Sequence, residues 1–96
     1  MIEVRQTEIF ARWLAHLRDR RARARINARI RRLSIGNPGD TKSAGGGVSE
    51  MRIDYGPGYR VYFFRRGEAL VILVAGGDKR TQQHDIMMAI KLARDL

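Results

Sequence analysis

The sequence predicts an α+β fold: a short N-terminal strand and a helical hairpin packed on a small, twisted, mainly antiparallel sheet, with a C-terminal helix. Three observations predict it. Apolar residues recur at helical spacing over the first third of the chain. Three strand-like runs separated by glycine-marked reversals follow. A last apolar stripe at helical spacing closes the chain, and its 96 residues suit one domain, 1–96, with one core.

The N-terminal elements follow from local patterns. The alternating run Ile2–Arg5 predicts an edge strand, and Thr7 is placed to cap a first helix. The buried stripe of that helix is Phe10, Trp13, Leu14 and Leu17. A second helix is expected from about Arg21 to Leu33, antiparallel to the first. Its apolar face is Ala22, Ile26, Ile30 and Leu33, and another face gathers Arg21, Arg25, Arg29 and Arg32.

The middle of the chain predicts a loop and then a meander. Residues 40–47 are polar and rich in glycine, which predicts a mobile loop. Strands are expected at 50–55, 59–66 and 69–75, and the last is apolar on both faces, as a covered central strand is. The final helix is capped by Asp78 or Thr81, and its buried stripe is Ile86, Ala89, Ile90 and Ala93.

The turn Gly56-Pro57-Gly58 suggests a register in which three pairs face each other: Asp54 with Arg60, Arg52 with Tyr62, and Glu50 with Phe64. Six apolar residues then share the face that seats the helical hairpin: Met51, Ile53, Val61, Phe63, Val71 and Leu73. The opposite face is polar at one end. We expect the final helix to cover the apolar end of that face and to leave the polar end open.

Composition indicates an acidic partner. The formal charge is +9, and sixteen of the nineteen cationic side chains are arginine, whose planar fork binds phosphate or carboxylate with two hydrogen bonds. The partner class is either nucleic acid or an acidic protein segment. The chain has no cysteine, no apolar run of the ~18 residues that span a membrane, and no signal-peptide core. An intracellular protein without membrane contact is therefore expected.

Cations converge at one end of the expected sheet. Arg60 lies near the start of its strand, while Lys79 and Arg80 lie just past the end of the next, antiparallel strand. Arg52 is one strand further over, on the same face as Arg60, and Tyr62 lies beside them. Such a cluster can hold a phosphodiester and stabilise negative charge as it develops. The alternative for Arg52 is a surface ion pair with a neighbouring acid, Glu50 or Asp54.

Three further features are less specific. His84 falls in the first turn of the final helix, where it is a candidate for proton transfer or simply an exposed residue. Gly76-Gly77 is either a strand exit or a place where a phosphate approaches the backbone. Arg25, Arg29 and Arg32 either follow a nucleic-acid backbone or dock an acidic partner. No metal or cofactor is expected, because no ligand set with metal-binding spacing is present.

Four segments together resemble the RelE/ParE superfamily of bacterial toxins, and especially its HigB-like branch of phage-derived addiction-module killer proteins. The segments are SEMRI at 49–53, GPGYRVYF at 56–63, LVAGGDK at 73–79, and the helix residues Gln83, Asp85, Ile86 and Ala89. The resemblance extends over essentially the whole chain. It implies the toxin of a type II toxin–antitoxin pair, in the cytoplasm, that inhibits translation by cutting mRNA in the ribosomal A site.

The resemblance also implies a mechanism and a partner. The ribose 2′-hydroxyl attacks the adjacent phosphate without a metal, and cations stabilise the transition state. Arg60 matches the arginine at the scissile phosphate, Lys79 matches the basic position after the last strand, and Arg52 and Tyr62 match by face. Arg60, Lys79, Arg52 and His84 are thus the expected catalytic residues, and Tyr62 and Arg80 are expected to contact RNA together with the arginines of the second helix. The C-terminal tyrosine base of RelE has no counterpart, which leaves His84. An antitoxin with an acidic segment and a helix-turn-helix DNA-binding domain is expected to cover the arginine-rich helix.

Two other functions stay open at this point. ParE-like members of the superfamily bind DNA gyrase and cut no RNA, and a shared fold does not separate the two activities. The remaining alternative is a basic RNA-binding domain with no catalytic activity.

Overall fold

Five strands form one mixed sheet, and three helices pack on its two faces in a computed structural model that describes all residues, Met1–Leu96. The elements are β1 Glu3–Gln6, α1 Glu8–Ala15, α2 Arg20–Ser34, β2 Thr41–Gly45, β3 Val48–Ile53, β4 Tyr59–Arg66, β5 Leu70–Gly77 and α3 Gln82–Asp95. The strand order is β1-β5-β4-β3-β2, and β1 alone pairs in parallel. The predicted α+β class, with its helical hairpin and C-terminal helix, is confirmed.

Side-chain caps fix where the first two helices begin. The Thr7 hydroxyl accepts a hydrogen bond from the Phe10 amide (3.1 Å) and donates one to the Val74 carbonyl (2.7 Å), so it starts α1 and ties it to β5. The Asp19 carboxylate accepts from the first amides of α2. It also accepts from the Tyr55 hydroxyl (3.0 Å), which joins the start of α2 to the β3–β4 turn.

The helical hairpin and the sheet enclose the larger core. All six residues predicted to share one face of the sheet are buried there, together with Phe10 of α1 and two residues of α2, Ile26 and Leu33. Fully burying such side chains contributes about 1.5–3 kcal/mol each to folding. A smaller cluster under α3, formed by Val48, Tyr62, Ala75 and Ala89, lies on the opposite face.

The β3–β4 register differs from the predicted one by two residues. Arg52 lies opposite Arg60, and Glu50 lies opposite Tyr62. Ladder pairing ends at Ile53 and Tyr59, because Gly56 and Gly58 take positive φ angles (59° and 82°) and make a five-residue loop. A shift of two residues leaves every side chain on its own face, so the predicted faces still hold.

The predicted mobile loop at 40–47 was wrong, because most of it is strand β2, paired antiparallel with β3. The Arg29 guanidinium fixes this segment. It donates to the carbonyls of Pro38 (2.9 Å), Asp40 (3.3 Å) and Arg52 (2.7 Å), which binds the entry of β2 to α2 and β3. Because Arg29 is distant in sequence from these carbonyls, no local sequence pattern indicates that this segment is held in place as a strand.

Helix α3 covers more of the sheet than expected. Glu50 and Tyr62, at the polar end of the face, are both 0% exposed, so this part of that end is not open as predicted. The rest of the polar end, Arg52, Asp54 and Arg60, lines an open cleft. The approach depends on Gly77, since an added Cβ there would lie 1.8 Å from Asp85 Oδ2 of α3. Gly76 likewise admits the Trp13 ring on the other face. None of the three helices has the length and apolarity needed to cross a membrane.

Candidate functional site

A cleft of about 410 Å³ opens at the end of the sheet beside the β3–β4 turn. We call it the cationic cleft; its walls are Asp40, Arg52, Ile53, Asp54, Gly58, Arg60 and Lys79. Sheet register brings the cations together. Arg52 and Arg60 are direct partners across β3 and β4, and Gly77 of β5 pairs with Arg60 from the other side, so Lys79 emerges at the same end. Three of the four predicted catalytic residues therefore share one cleft.

Arg60 is held from behind. Its Nη1 donates to the carbonyls of Gly58 (3.0 Å) and Tyr59 (3.4 Å), and its Nε lies 3.8 Å from Glu50 Oε1. The side chain is 12% exposed, and its Nε is buried without a hydrogen-bond partner. These contacts fix the guanidinium as part of the cleft wall, where a bound anion would meet a charge already in place.

Arg52 has an exposed ion-pair partner, Asp40. Its Nη2 donates to Asp40 Oδ1 at 2.9 Å, so its ion pair is with Asp40 and not with Glu50 or Asp54. This hydrogen bond lowers the pKa of the Asp40 carboxyl below its ordinary value and raises that of Arg52. Both side chains are partly exposed, so a phosphate entering the cleft can take the place of the Asp40 carboxylate.

Lys79 and Arg80 differ in whether another side chain neutralises their charge. Lys79 opens the 3₁₀ turn that leads into α3, is exposed and makes no ion pair. Arg80 is paired with Asp78, with Nη2 2.9 Å from Oδ2, and lies outside the cleft lining. The same hydrogen bond lowers the pKa of Asp78. Lys79 is therefore the cation of this pair that the cleft can offer to a ligand.

Tyr62 and Glu50 form a buried polar layer behind the cleft. The Tyr62 hydroxyl lies 3.4 Å from Glu50 Oε1, and Gln82 Nε2 donates to the same oxygen at 2.7 Å. Burial, followed by the charge of Glu50, raises the pKa of Tyr62. Because Tyr62 is fully buried, its ring has no surface on which a base could stack, contrary to the RNA contact expected from the sequence. The sequence could indicate only that Tyr62 lies on the same face of the sheet as Arg60 and Glu50, not that α3 covers it.

His84 does not join the cationic cleft. It is exposed on α3 and lines a separate hollow with Met87, Met88 and Lys91. Since α3 begins at Gln82 and buries Asp85 against Gly77, the adjacent His84 faces outward. The cleft itself contains two carboxylates that sequence reasoning did not assign, Asp40 and Asp54. Of these, Asp54 makes no ion pair.

A second hollow continues from the cationic cleft onto α2. It is lined by Arg25, Ala28, Arg29, Arg32, Ile53 and Asp54, and it shares the last two residues with the cleft. A third hollow, lined by Arg21, Ala24, Arg25 and Ala28, extends it further along the helix. We call these two hollows the arginine groove. The cleft and the groove adjoin at Ile53 and Asp54, and arginine or lysine side chains line both.

The three predicted RNA-binding arginines of α2 have different surroundings. Arg25 lies over the Tyr55 ring, 4.7 Å from its centroid, and Arg32 is exposed. Arg29 donates to backbone carbonyls, and desolvation by burial, with the nearby charge of Arg32 as the smaller effect, lowers its pKa. Arg29 therefore holds the fold together, whereas Arg32 presents its charge to the groove.

The cleft supplies charge and hydrogen-bond donors. Two guanidinium groups and one ammonium group can bind a phosphodiester and stabilise added negative charge during a displacement at phosphorus. No three His, Asp or Glu side chains lie close enough together to hold a metal ion.

Comparison with known proteins gives two matches. A family model described as "Phage derived protein Gp49-like (DUF891)" matches residues 12–95. A Haemophilus influenzae protein, described as an uncharacterized protein, is 52% identical over 95 residues, which are 99% of this chain and 96% of that protein. The matched segment includes every residue that lines the cationic cleft and the arginine groove.

Proposed function

Because the chain belongs to the phage-derived Gp49-like family, a family of RelE-like toxins of toxin–antitoxin systems, we propose that it is a metal-independent endoribonuclease that cuts mRNA on the ribosome. This would place it in the HigB-like branch, with the cytoplasm as its site of action. One observation carries the proposal: Arg52, Arg60 and Lys79 share one cleft at the end of a hydrogen-bonded sheet.

The chemistry follows from those three charges. The 2′-oxygen of a ribose attacks the adjacent phosphorus, a new P–O2′ bond forms, and the P–O5′ bond breaks. The 2′-hydroxyl loses its proton, and the departing 5′-oxygen gains one. The phosphorus centre passes through a state with an extra negative charge, which fixed cations stabilise more than they stabilise the starting diester. The requirement for a 2′-hydroxyl restricts the reaction to RNA.

Asp54 is the candidate to accept the proton from the 2′-hydroxyl. It lines the cleft, carries a carboxylate and makes no ion pair, whereas Asp40 is engaged by Arg52. His84, the candidate from the sequence, lines a different hollow on α3. A carboxylate within the cleft can take up the proton directly or through one water molecule. Asp54→Asn should then reduce cleavage more than His84→Ala does.

The arginine groove suggests how the substrate and a neutralising protein bind. RNA bound in the cleft can continue along α2, with Arg32 and its neighbours near the phosphates. An acidic segment of a helix-turn-helix antitoxin would occupy the same groove and mask Arg60. Co-expression with the gene next to that of this protein tests the partner: an antitoxin would co-purify and restore growth, and a protein that stays toxic and alone would contradict this part of the proposal.

The activity is tested by translating a defined mRNA in vitro and mapping the cuts by primer extension. Arg60→Ala and Lys79→Ala should each reduce cutting in the A-site codon to a small residual rate that single-turnover measurements can still quantify, with the circular dichroism spectrum unchanged. Arg65→Ala is the matched control, because Arg65 lies on the same strand, is exposed and makes no ion pair. Lys91→Ala is the corresponding control for lysine.

Two results would refute the proposal. Full cleavage by both Arg60→Ala and Lys79→Ala would show that the cationic cleft is not the site. Inhibition of DNA supercoiling by gyrase, without any mRNA cleavage, would assign the chain to the ParE-like activity instead.

A further inference from the structure

Glu50 is a fully buried carboxylate that lies directly behind the cationic cleft. Glu50 belongs to β3, and its exposed fraction is 0%, although the domain is small and the side chain is charged. Burying a charge without partners is strongly unfavourable, so such a group needs compensating charges and hydrogen bonds. The groups around Glu50 therefore indicate why it is there.

Four side chains from three elements face this carboxylate. Gln82 of α3 donates to Oε1 at 2.7 Å, and the Tyr62 hydroxyl lies 3.4 Å from the same oxygen. Two cations approach without forming hydrogen bonds: Arg60 Nε lies 3.8 Å from Oε1, and Lys42 Nζ lies 3.8 Å from Oε2. The Lys42 side chain is 52% exposed, so the Arg60 side chain, at 12%, is the buried counter-charge.

Unpaired hydrogen-bonding atoms also link Glu50 to Arg60. Arg60 Nε, which lies 3.8 Å from Glu50 Oε1, is buried without a hydrogen-bond partner. Glu50 Oε2, which Lys42 Nζ approaches to 3.8 Å, is also buried without one. A movement of about 1 Å by either side chain would bring the Arg60–Glu50 pair into hydrogen-bond range. On its other side, Arg60 is anchored only by the carbonyls of Gly58 and Tyr59. Glu50 is thus the single negative charge that sets the position of the Arg60 guanidinium from behind.

We propose that Glu50 is a positioning residue for Arg60: its buried carboxylate holds the guanidinium against the wall of the cationic cleft, aimed at the phosphate. Its effect on catalysis rests on the function proposed above, but its effect on Arg60 does not. Glu50 does not reach the cleft, because Arg60 lies between them. Gln82 in turn holds Glu50, so the start of α3 helps to fix the cleft without touching a ligand.

A purely structural role for Glu50 makes different predictions. In that case its hydrogen bond with Gln82 would be its main contribution, and Gln82→Ala would resemble Glu50→Gln in every assay. If Glu50 acts through Arg60, then Glu50→Gln, which keeps the shape and the acceptor oxygen but removes the charge, should be much more harmful to cleavage than Gln82→Ala. Misplacing a reacting group by about 1 Å can reduce a rate about 100-fold.

The experiment combines a double-mutant cycle with a measurement that needs no activity. Cleavage of ribosome-bound mRNA is measured for the wild type, Glu50→Gln, Arg60→Ala and the double variant. The mobility of the Arg60 Nε–Hε group is measured by ¹⁵N relaxation in the full chain. We expect Glu50→Gln to reduce the rate constant for cleavage about 100-fold with little change in ribosome affinity. It should cause no further loss in the Arg60→Ala background, and it should make Arg60 Nε–Hε mobile.

Each outcome decides the inference. Independent, multiplying losses in the cycle, or an Arg60 Nε–Hε group as rigid in Glu50→Gln as in the wild type, would overturn it. If the wild type cleaves no RNA but Glu50→Gln mobilises Arg60, the proposed function fails and the positioning role stands. Glu50→Asp serves if Glu50→Gln does not fold: it keeps the charge but withdraws it by one methylene, and an unchanged Arg60 signal in that variant would also overturn the inference.

Discussion

Alanine at Gly77 tests whether the close approach of α3 to the sheet holds the cleft end of the fold together. The glycine does not have a positive φ, so an alanine there causes no strain in the backbone itself. The strain comes from contact. An added Cβ lies 1.8 Å from Asp85 Oδ2, 2.8 Å from Asp85 Cγ and 3.0 Å from Thr81 Oγ1, so the carboxylate has to move away.

The size of the effect can be worked out from these contacts. The Asp85 carboxylate must retreat by roughly 1.5 Å to reach ordinary van der Waals distance. That movement breaks its hydrogen bond from the Thr81 hydroxyl, and a hydrogen bond to a charged group contributes about 1.5–3 kcal/mol. Overpacking adds about 1–3 kcal/mol. The expected loss in the free energy of unfolding is thus about 2.5–6 kcal/mol, a large part of the 5–15 kcal/mol typical of a domain.

Urea unfolding followed by circular dichroism and by the fluorescence of Trp13, the chain's one tryptophan, measures this loss. Gly67→Ala is the control: Gly67 has a φ of 70° but no atom within 4 Å of an added Cβ, so only backbone strain of about 1–2 kcal/mol applies. The Gly77→Ala effect should largely disappear in an Asp85→Ala background. A loss below about 1 kcal/mol, or an equal loss in both backgrounds, would refute the reasoning.

Three further predictions concern charge. Arg29→Ala should lower the free energy of unfolding by about 1–3 kcal/mol, because backbone carbonyls lose their hydrogen-bond donor. Arg32→Ala should change the free energy of unfolding by less than about 0.5 kcal/mol and reduce the salt dependence of RNA binding. Equal melting temperatures of the two variants would contradict this prediction. The pKa of Tyr62 is raised in the folded state, so the stability that Tyr62 contributes is complete below the ordinary tyrosine pKa of 10.0 and is lost as the pH rises above that value. In urea titrations Tyr62→Phe should therefore lose less stability than the wild type between pH ~9 and ~11. Parallel losses in the two proteins would refute this prediction. Asp40→Asn should free Arg52 and tighten RNA binding near neutral pH in a fluorescence titration; unchanged or weaker binding would show that Asp40 does not compete with phosphate.

The faces of the sheet could be predicted from the sequence, and its finer geometry could not. The period of two in β3 and β4 is a local property, and it placed Met51 and Val61 in the core even though the register was wrong by two residues. The length of the connecting loop depends on contacts outside the hairpin, such as the hydrogen bond from Tyr55 to Asp19 of α2. Strand β2 was missed for the same reason, since its clamp is the distant Arg29.

In the candidate site, too, some features could be predicted from local sequence patterns and others depend on tertiary packing. Arg60 and Lys79 could be brought together from the sequence because antiparallel neighbours put the start of one strand beside the end of the next. For His84 the sequence left two interpretations, proton transfer or simple exposure, and the structure shows the exposed one, because the residue at which α3 begins turns this side chain outward. The buried position of Glu50 depends on how closely that helix approaches the sheet, which the absence of a side chain at Gly77 permits without specifying.

Two acids of the same chain allow the like charges of the cationic cleft to lie together. Arg52, Arg60 and Lys79 repel one another, and two of them are offset by acids of the same chain, Asp40 at the rim and Glu50 behind the wall. The two acids differ in burial. Asp40 is exposed and its carboxylate is accessible to an incoming phosphate, whereas Glu50 is fully buried under α3 and is not. If a phosphate binds in the cleft as proposed, we expect it to exchange with the Asp40 carboxylate at Arg52, while Glu50 keeps Arg60 in position.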